Sequence, residues 1–209
     1  SAGGHNVFAL LASPLSEGLF QKAISQSGYL KTNTVEEAIN ADDDYPRIRR
    51  SSSQLFASMV DAGVLADVST KSAYDVAGNT LMEYYLELND QGDVPLTTAD
   101  GIVISKEGML AALADSSNAK DVPVIAGANR DEVTLWMSRH RYFVNADYML
   151  TRWLPPRITL RDPDLYAFWA RIRSEAWKLR GVDEPLIAME AAGYPELYAY
   201  RFDWDDQEI

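Results

Sequence analysis

The opening stretch SAGGHNVFALL (residues 1–11) decides the fold, because a serine and three small residues lead directly into an apolar run. Small residues suit a tight strand-to-helix turn, since bulky neighbours would clash there and glycine tolerates unusual backbone angles. A helix that begins at such a turn presents its free N–H groups and the positive end of its dipole to an anion. The stretch therefore indicates half of a nucleophile turn, with Ser1 as the candidate nucleophile.

Composition excludes several classes of function. The 209 residues are 47% hydrophobic and 11% aromatic, which is typical of a folded chain with a buried core. Nineteen basic against 31 acidic residues give a net charge of −12, which argues against nucleic-acid and anionic-membrane partners. The absence of cysteine excludes disulfides, thiolate metal sites and cysteine nucleophiles. No apolar run approaches the roughly 20 residues that cross a bilayer, so no membrane span is expected.

Beyond the first helix, strand and helix signals alternate along the chain. Strands are predicted at 22–26, at 122–126, where the glycine of 127–129 is expected to end the strand, and at 197–202. Helices are predicted within 33–61, with a Thr34/Glu37 capping box, near 72–88, and from Pro163 to about 180, where Gly181 is expected to end the helix; a hairpin is predicted at 95–104. Strands separated by long helices indicate an α/β sheet, whose active groups gather beyond the carboxyl ends of the strands.

Five stretches, in order over nearly the whole chain, resemble the type-B carboxylesterase and cholinesterase-like family. They are SAGG (1–4), SPL (13–15), GLFQKAISQSG (18–28), VPVIAGANRDE (122–132) and YAYRFDW (198–204). The resemblance implies the C-terminal part of an α/β-hydrolase fold, with a mostly parallel sheet flanked by helices and with helical lid insertions. It implies one partial domain over residues 1–209, with the N-terminal strands, the oxyanion loop and the C-terminal histidine segment lying outside it.

The resemblance also implies roles for single residues. Ser1 becomes the nucleophile and Glu132 the acid that orients a histidine base, in the chain order serine, acid, histidine of the α/β-hydrolases. The backbone N–H of Ala2 becomes an oxyanion donor. Ser27 is expected behind the reacting groups, near the nucleophile, with a plain buried serine bonded to backbone as the alternative. The match departs at Val133, where the family usually has glycine.

The surrounding residues favour neither histidine of the chain as the base. His5 lies on the same helix as Ser1, and the turn points its serine away from that helix, so His5 is predicted to be a packing residue. His140 follows Glu132 in the chain order that the triad requires, but it lies among arginines and a tyrosine in a predicted loop. The resemblance implies that the base lies beyond Ile209.

Three functions are compatible with these residues. The first is a serine carboxylic-ester hydrolase that acts on a small neutral ester through an acyl-Ser1 intermediate, without metal or cofactor, and this chain alone is expected to be inactive. Aromatic residues within 134–153 are then expected to line an acyl pocket or to pack in the core. The second is a hydrolase whose N-terminal amine is the base, which requires Ser1 to begin a strand. The third is a non-catalytic cholinesterase-like binding or adhesion module.

Overall fold

The computed structural model describes residues 1–40, 44, 52–67, 76, 78, 80, 97–138, 140–147 and 157–203. The strands are β1 (Ala23–Gln26), β2 (Thr32–Thr34), β3 (Thr97–Ala99), β4 (Val124–Asn129), β5 (Val144–Asp147), β6 (Arg157–Leu160) and β7 (Leu197–Phe202). The α-helices are α1 (Ala2–Ala12), α2 (Val35–Ile39), α3 (Ser52–Asp61), α4 (Met109–Ala114), α5 (Thr134–Met137), α6 (Pro163–Lys178) and α7 (Glu184–Ala192). Short 3-10 turns occur at Pro14–Ser16 and Ser116–Asn118, and a π-helical turn, Leu179–Asp183, joins α6 to α7. The helix predicted near 72–88 falls mostly outside the described residues.

The chain divides into two compact units, one of residues 1–30 and 113–209 and the other of residues 31–112. The first unit contains a parallel sheet with the strand order β1-β4-β7. β4 is the central strand, and it pairs along its whole length with β7. An antiparallel pair, β5 with β6, belongs to the same unit. A mostly parallel sheet flanked by helices confirms the predicted α/β class.

Helix α1 packs along β1 through a face of small and apolar residues. Phe8 and Leu11 are fully buried, and burial of a side chain of this size contributes about 2 kcal/mol. The two backbones approach most closely at Gly4, where an added Cβ would lie 2.5 Å from the Gln26 carbonyl oxygen. The buried Ser25 hydroxyl donates to the Gly4 carbonyl at 3.1 Å. These contacts set the first turn of α1 beside the carboxyl end of β1.

The second unit pairs β2 with β3 in parallel and carries the predicted capping box. The Thr34 hydroxyl accepts from the Glu37 N–H at 3.1 Å, and the Glu37 carboxylate accepts from the Thr34 N–H at 2.9 Å. The hairpin predicted at 95–104 is wrong, because β3 pairs with β2 and not with the residues after the turn. The Asp100 carboxylate accepts from three consecutive backbone N–H groups, of residues 102–104, and so satisfies them without a partner strand.

The sequence predicts that Gly127 ends a strand and that Gly181 ends a helix, but in the structure regular secondary structure continues past both glycines. β4 runs through Gly127 and ends at Asn129. The Tyr200 ring lies against Gly127, where an added Cβ would come within 2.2 Å of that ring. Gly181 lies in the π-helical turn, which continues directly into α7. Each glycine therefore marks a point where another part of the chain packs closely against its backbone, and neither ends a strand or helix. Within the described residues, no helix combines the length and the apolar character that crossing a bilayer requires.

Candidate active site

The carboxyl ends of β1 and β4 bring Ser27 and Glu132 together. Ser27 follows β1 directly, and its N–H donates to the Gly127 carbonyl at 2.7 Å, which extends the parallel ladder by one residue. Glu132 follows β4 after a short turn. Parallel neighbours end at the same edge of a sheet, so the two side chains meet although they are 105 positions apart in sequence.

The Glu132 carboxylate is fixed by two hydrogen bonds to the same oxygen. The Ser27 hydroxyl donates to Oε2 at 2.8 Å, and the backbone N–H of Asn129 donates to Oε2 at 2.7 Å. The second bond closes the turn that follows β4, so the carboxylate holds the loop on which it stands. Hydrogen bonds to an ionised oxygen are about twice as strong as neutral ones. Oε1 takes part in neither bond.

Ser27 adopts a backbone conformation that non-glycine residues rarely use. Its φ is +53°, in the left-handed region, where a side chain costs on the order of 1 kcal/mol. Its hydroxyl bonds a side chain, the Glu132 carboxylate, and the conformation is held by the ladder bond from its N–H to β4. Residues kept in strained conformations tend to cluster at functional sites, which makes this turn a candidate for function.

Ser1 and Ala2 stand at the start of α1. Ser1 is the N-cap residue, is exposed, and makes no side-chain capping bond, while its carbonyl accepts from the His5 N–H at 2.9 Å. Ala2 is the first helical residue and is also exposed. Since Gly4, within the same turn, packs against residues 26–28, the start of α1 lies beside the Ser27 turn. Ser1 begins a helix and not a strand, which disfavours the amine-base hydrolase.

The two histidines have different surroundings, one buried against Tyr29 and the other exposed. His5 is 4% exposed, and its ring stacks on the Tyr29 ring with the two centroids 4.4 Å apart. The His5 Nδ1 donates to the Tyr29 carbonyl at 2.8 Å. Burial lowers the pKa of His5, and the hydrogen bond to the carbonyl offsets part of that decrease. His140 is exposed, and its Nδ1 accepts from the Tyr142 N–H at 3.2 Å. His5 is thus a packing residue, as predicted.

The aromatic residues after Glu132 divide between surface and core. Trp136 on α5 is 64% exposed, whereas Phe143 packs against a buried cluster formed by Val133, Met137 and Ala170. The cluster accounts for Phe143 by core packing, which was one of the two expectations for this segment. Residues 148–153 of the same segment lie outside the described residues.

Sequence reasoning missed Tyr200, whose ring lies against Gly127 of the strand that leads to the acid. Burial raises the pKa of the Tyr200 hydroxyl, a hydrogen bond with the Gln26 side chain lowers it, and the negative charge of Glu132 raises it further. The signal that could have found Tyr200 is its pairing with a glycine on the central strand, because Gly127 lies opposite it in the register. Aromatic residues alternate along β7, so the sequence does not distinguish Tyr200 from Tyr198 and Phe202.

Architecture and site together define the class of the protein. The crystal structure of carboxylesterase EST55 from Geobacillus stearothermophilus at pH 6.2 superposes with a TM-score of 0.64, at 21% identity, over 99% of this chain and 43% of that one. The chain therefore has an α/β-hydrolase fold. The family model described as "Carboxylesterase family" matches residues 1–148, and the chain belongs to this family.

Two curated relatives agree with the family. The chain is 27% identical to para-nitrobenzyl esterase of Bacillus subtilis (strain 168), over 98% of this chain and 41% of that protein. It is 32% identical to carboxylesterase 1E of Mus musculus, over 63% of this chain and 24% of that protein. The chain thus spans less than half the length of either curated relative.

Proposed function

We propose that the protein hydrolyses small neutral carboxylic esters, with Ser1 as nucleophile and Glu132 as the acid of a Ser-Glu-His triad. The observation that carries the proposal is the Glu132 carboxylate, held by Ser27 and Asn129 at the edge of the sheet where the helix from Ser1 begins. Membership of the carboxylesterase family supports ester hydrolysis as the reaction.

In the proposed reaction, the Ser1 hydroxyl oxygen attacks the ester carbonyl carbon while its proton passes to an imidazole. The tetrahedral intermediate collapses, the alcohol leaves with that proton, and the acyl group stays on Ser1. Water then attacks the acyl-Ser1 ester with the same imidazole as base, which releases the acid and restores the hydroxyl. The Ala2 N–H and the positive end of the α1 dipole stabilise the negative oxygen of both intermediates.

Glu132 orients the imidazole and stabilises its protonated form. Because both observed hydrogen bonds use Oε2, Oε1 is the oxygen we assign to the imidazole N–H. Ser27 then acts through Glu132 and is a positioning residue. We propose that the imidazole belongs to a residue beyond Ile209 in the full-length protein, since His5 is buried with its Nδ1 bonded to the Tyr29 carbonyl and His140 is an exposed residue whose Nδ1 accepts from the Tyr142 N–H.

Labelling of the full-length protein with a fluorophosphonate, followed by peptide mass spectrometry, tests this function. We expect the label on Ser1, and Ser1→Ala should lose both the label and at least about 10³-fold in kcat. Ser117→Ala is the matched control, because it removes the hydroxyl of an exposed serine that donates to Asp115, and it should keep both. Labelling at another serine contradicts the role of Ser1. A folded protein that neither hydrolyses esters nor takes the label favours the non-catalytic binding module.

A further inference from the structure

Helix α6 contacts the backbone that directly follows Glu132. The Tyr166 hydroxyl donates to the Thr134 carbonyl at 2.9 Å. The buried Ser174 hydroxyl accepts from the Val133 N–H at 3.4 Å, which is long for such a bond and makes it the weaker of the two. The two residues that follow the acid, Val133 and Thr134, are therefore each bonded to α6 through one backbone group.

An apolar contact supports the same attachment. Val133 is 7% exposed and forms a buried cluster with Met137 and with Ala170 of α6, against which Tyr166 and Trp177 also pack. A branched side chain loses its rotational freedom when it is packed in this way. The backbone at Val133 is thus fixed by its side chain as well as by its N–H.

The π-helical turn after α6 contacts the residue that follows Ser27, the serine whose hydroxyl bonds the acid. A Cβ added to Gly181 would lie 2.3 Å from the Gly28 carbonyl oxygen, so the two backbones touch. Trp177, near the end of α6, meets the Tyr29 ring edge-on at 5.8 Å. The two residues after Ser27 are therefore both in contact with the same continuous element.

An ion pair spans the π-helical turn. Lys178 Nζ lies 2.6 Å from Asp183 Oδ2, so the last residue of α6 is bonded to the last residue of the turn. π-helical turns are less favourable than α-helical ones and occur frequently at functional sites. The turn places Gly181 against Gly28, while α6 itself contacts Val133 and Thr134.

We infer that α6 and its π-helical turn form a brace that sets the position of the Glu132 carboxylate from two sides. Tyr166 and Ser174 hold the backbone after Glu132, while Gly181 and Trp177 hold the turn whose hydroxyl bonds the carboxylate. The inference rests on the proposed function, because it assigns these residues to the positioning of the catalytic acid. A displacement of about 1 Å in a catalytic group reduces rates by up to about 10²-fold, so the brace affects catalysis without contacting substrate.

Tyr166→Phe and Ser174→Ala, made singly and together in the full-length protein, test the brace. We expect the double variant to lose about tenfold in kcat, with KM within about twofold, because the acid orients the base without binding the ester. The acid limb of the kcat/KM profile should move to lower pH, since a displaced carboxylate stabilises the imidazolium less. Tyr198→Phe removes an exposed hydroxyl bonded to Glu196, and Ser58→Ala removes a helix serine bonded to its own helix. Both control variants should match the wild type.

The outcomes separate the brace from the proposed function. If the double variant keeps the kcat and the pH profile of the wild type while Ser1→Ala abolishes hydrolysis, the brace is overturned and the function stands. A loss that disappears once rates are corrected for the folded fraction also overturns the brace, because it reflects stability alone. Hydrolysis that survives in Ser1→Ala overturns the proposed function itself, and with it the catalytic meaning of the brace.

Discussion

The two proposed catalytic groups are held in different ways. The Glu132 side chain is fixed directly, by the Ser27 hydroxyl and the Asn129 N–H. Ser1 is exposed, and its side chain makes no capping bond to α1. What is fixed at Ser1 is the backbone, through the close contact between Gly4 and residues 26–28.

This difference follows from what each group must do. An acid that orients a base works by staying in place, so hydrogen bonds to its carboxylate improve its function. A nucleophilic hydroxyl must give up its proton and form a covalent bond, so a permanent hydrogen bond to its own helix would compete with the reaction. The acid is therefore sensitive to the side chains around it, and the nucleophile to the packing of its helix.

The largest expected effect comes from Glu132→Gln. A neutral amide cannot stabilise an imidazolium, so kcat with a neutral ester should fall by about 10⁴-fold. Asp131→Asn is the matched control. The Asp131 carboxylate is next to Glu132 in sequence, and its Oδ2 forms an ion pair with Arg130 Nε at 2.8 Å near the surface. The control should stay within about twofold of the wild-type kcat, as expected for an exposed pair. Equal losses in both variants would contradict the assignment of the acid.

Gly4→Ala should have the next largest effect, on stability. Its Cβ would meet the Gln26 carbonyl oxygen at 2.5 Å and the Gly28 nitrogen at 2.7 Å, and backbone atoms cannot move aside cheaply. We expect the free energy of unfolding in urea to fall by about 3 kcal/mol. Gly3→Ala, in the same helix with nothing within 4 Å, should instead raise it by about 0.5–1 kcal/mol. Similar values for both would contradict close backbone packing at the nucleophile.

A pair of substitutions at Ser27 separates its hydroxyl from its backbone strain. Ser27→Ala and Ser27→Gly both remove the donor to Glu132, so both should lose about tenfold in kcat, equivalent to one charged hydrogen bond of about 1.5 kcal/mol. The glycine variant should be more stable than the alanine variant by about 1 kcal/mol, because glycine accepts the φ of +53°. Recovery of activity in Ser27→Gly alone would attribute the role of Ser27 to its backbone.

Local signals in the sequence predicted much of the sheet. The strands at 22–26, 122–126 and 197–202 and the helix that begins at Pro163 were found within a few residues, because periodicity and capping are properties of short segments. The sequence predicts that Gly127 ends a strand and Gly181 ends a helix, since it does not reveal what an added Cβ would meet: Tyr200 in one case and Gly28 in the other.

The contacts within the candidate site join residues that are distant in sequence, so local signals do not predict them. The hydrogen bond between Ser27 and Glu132 joins residues 105 positions apart, and only the pairing of β1 with β4 brings them together. The resemblance selected both residues individually without predicting the bond. Tyr166 and Ser174 carry no motif, because a hydroxyl that bonds a backbone group has no required neighbours in sequence.

The smallest expected effect is a pH dependence of stability on the nucleophile side. Burial lowers the pKa of His5 from its ordinary value of 6.5, although the Tyr29 carbonyl raises it in part. Below about pH 6.5 the unfolded chain therefore binds more protons at this residue than the folded protein does. The stability that neutral His5 contributes is fully present above that pH, and it is lost as the pH falls toward the lowered pKa of the folded state.

His5→Phe keeps a ring that can stack on Tyr29 and removes the titration. Urea unfolding of the wild type and the variant between about pH 7.5 and about pH 5.5 should show a steeper loss of the free energy of unfolding in the wild type. The variant should be less stable at the upper pH, because it lacks the Nδ1 bond to the Tyr29 carbonyl. The two curves should therefore converge on acidification. Parallel curves would mean that His5 binds protons equally in both states, and that burial against Tyr29 does not disfavour its charged form.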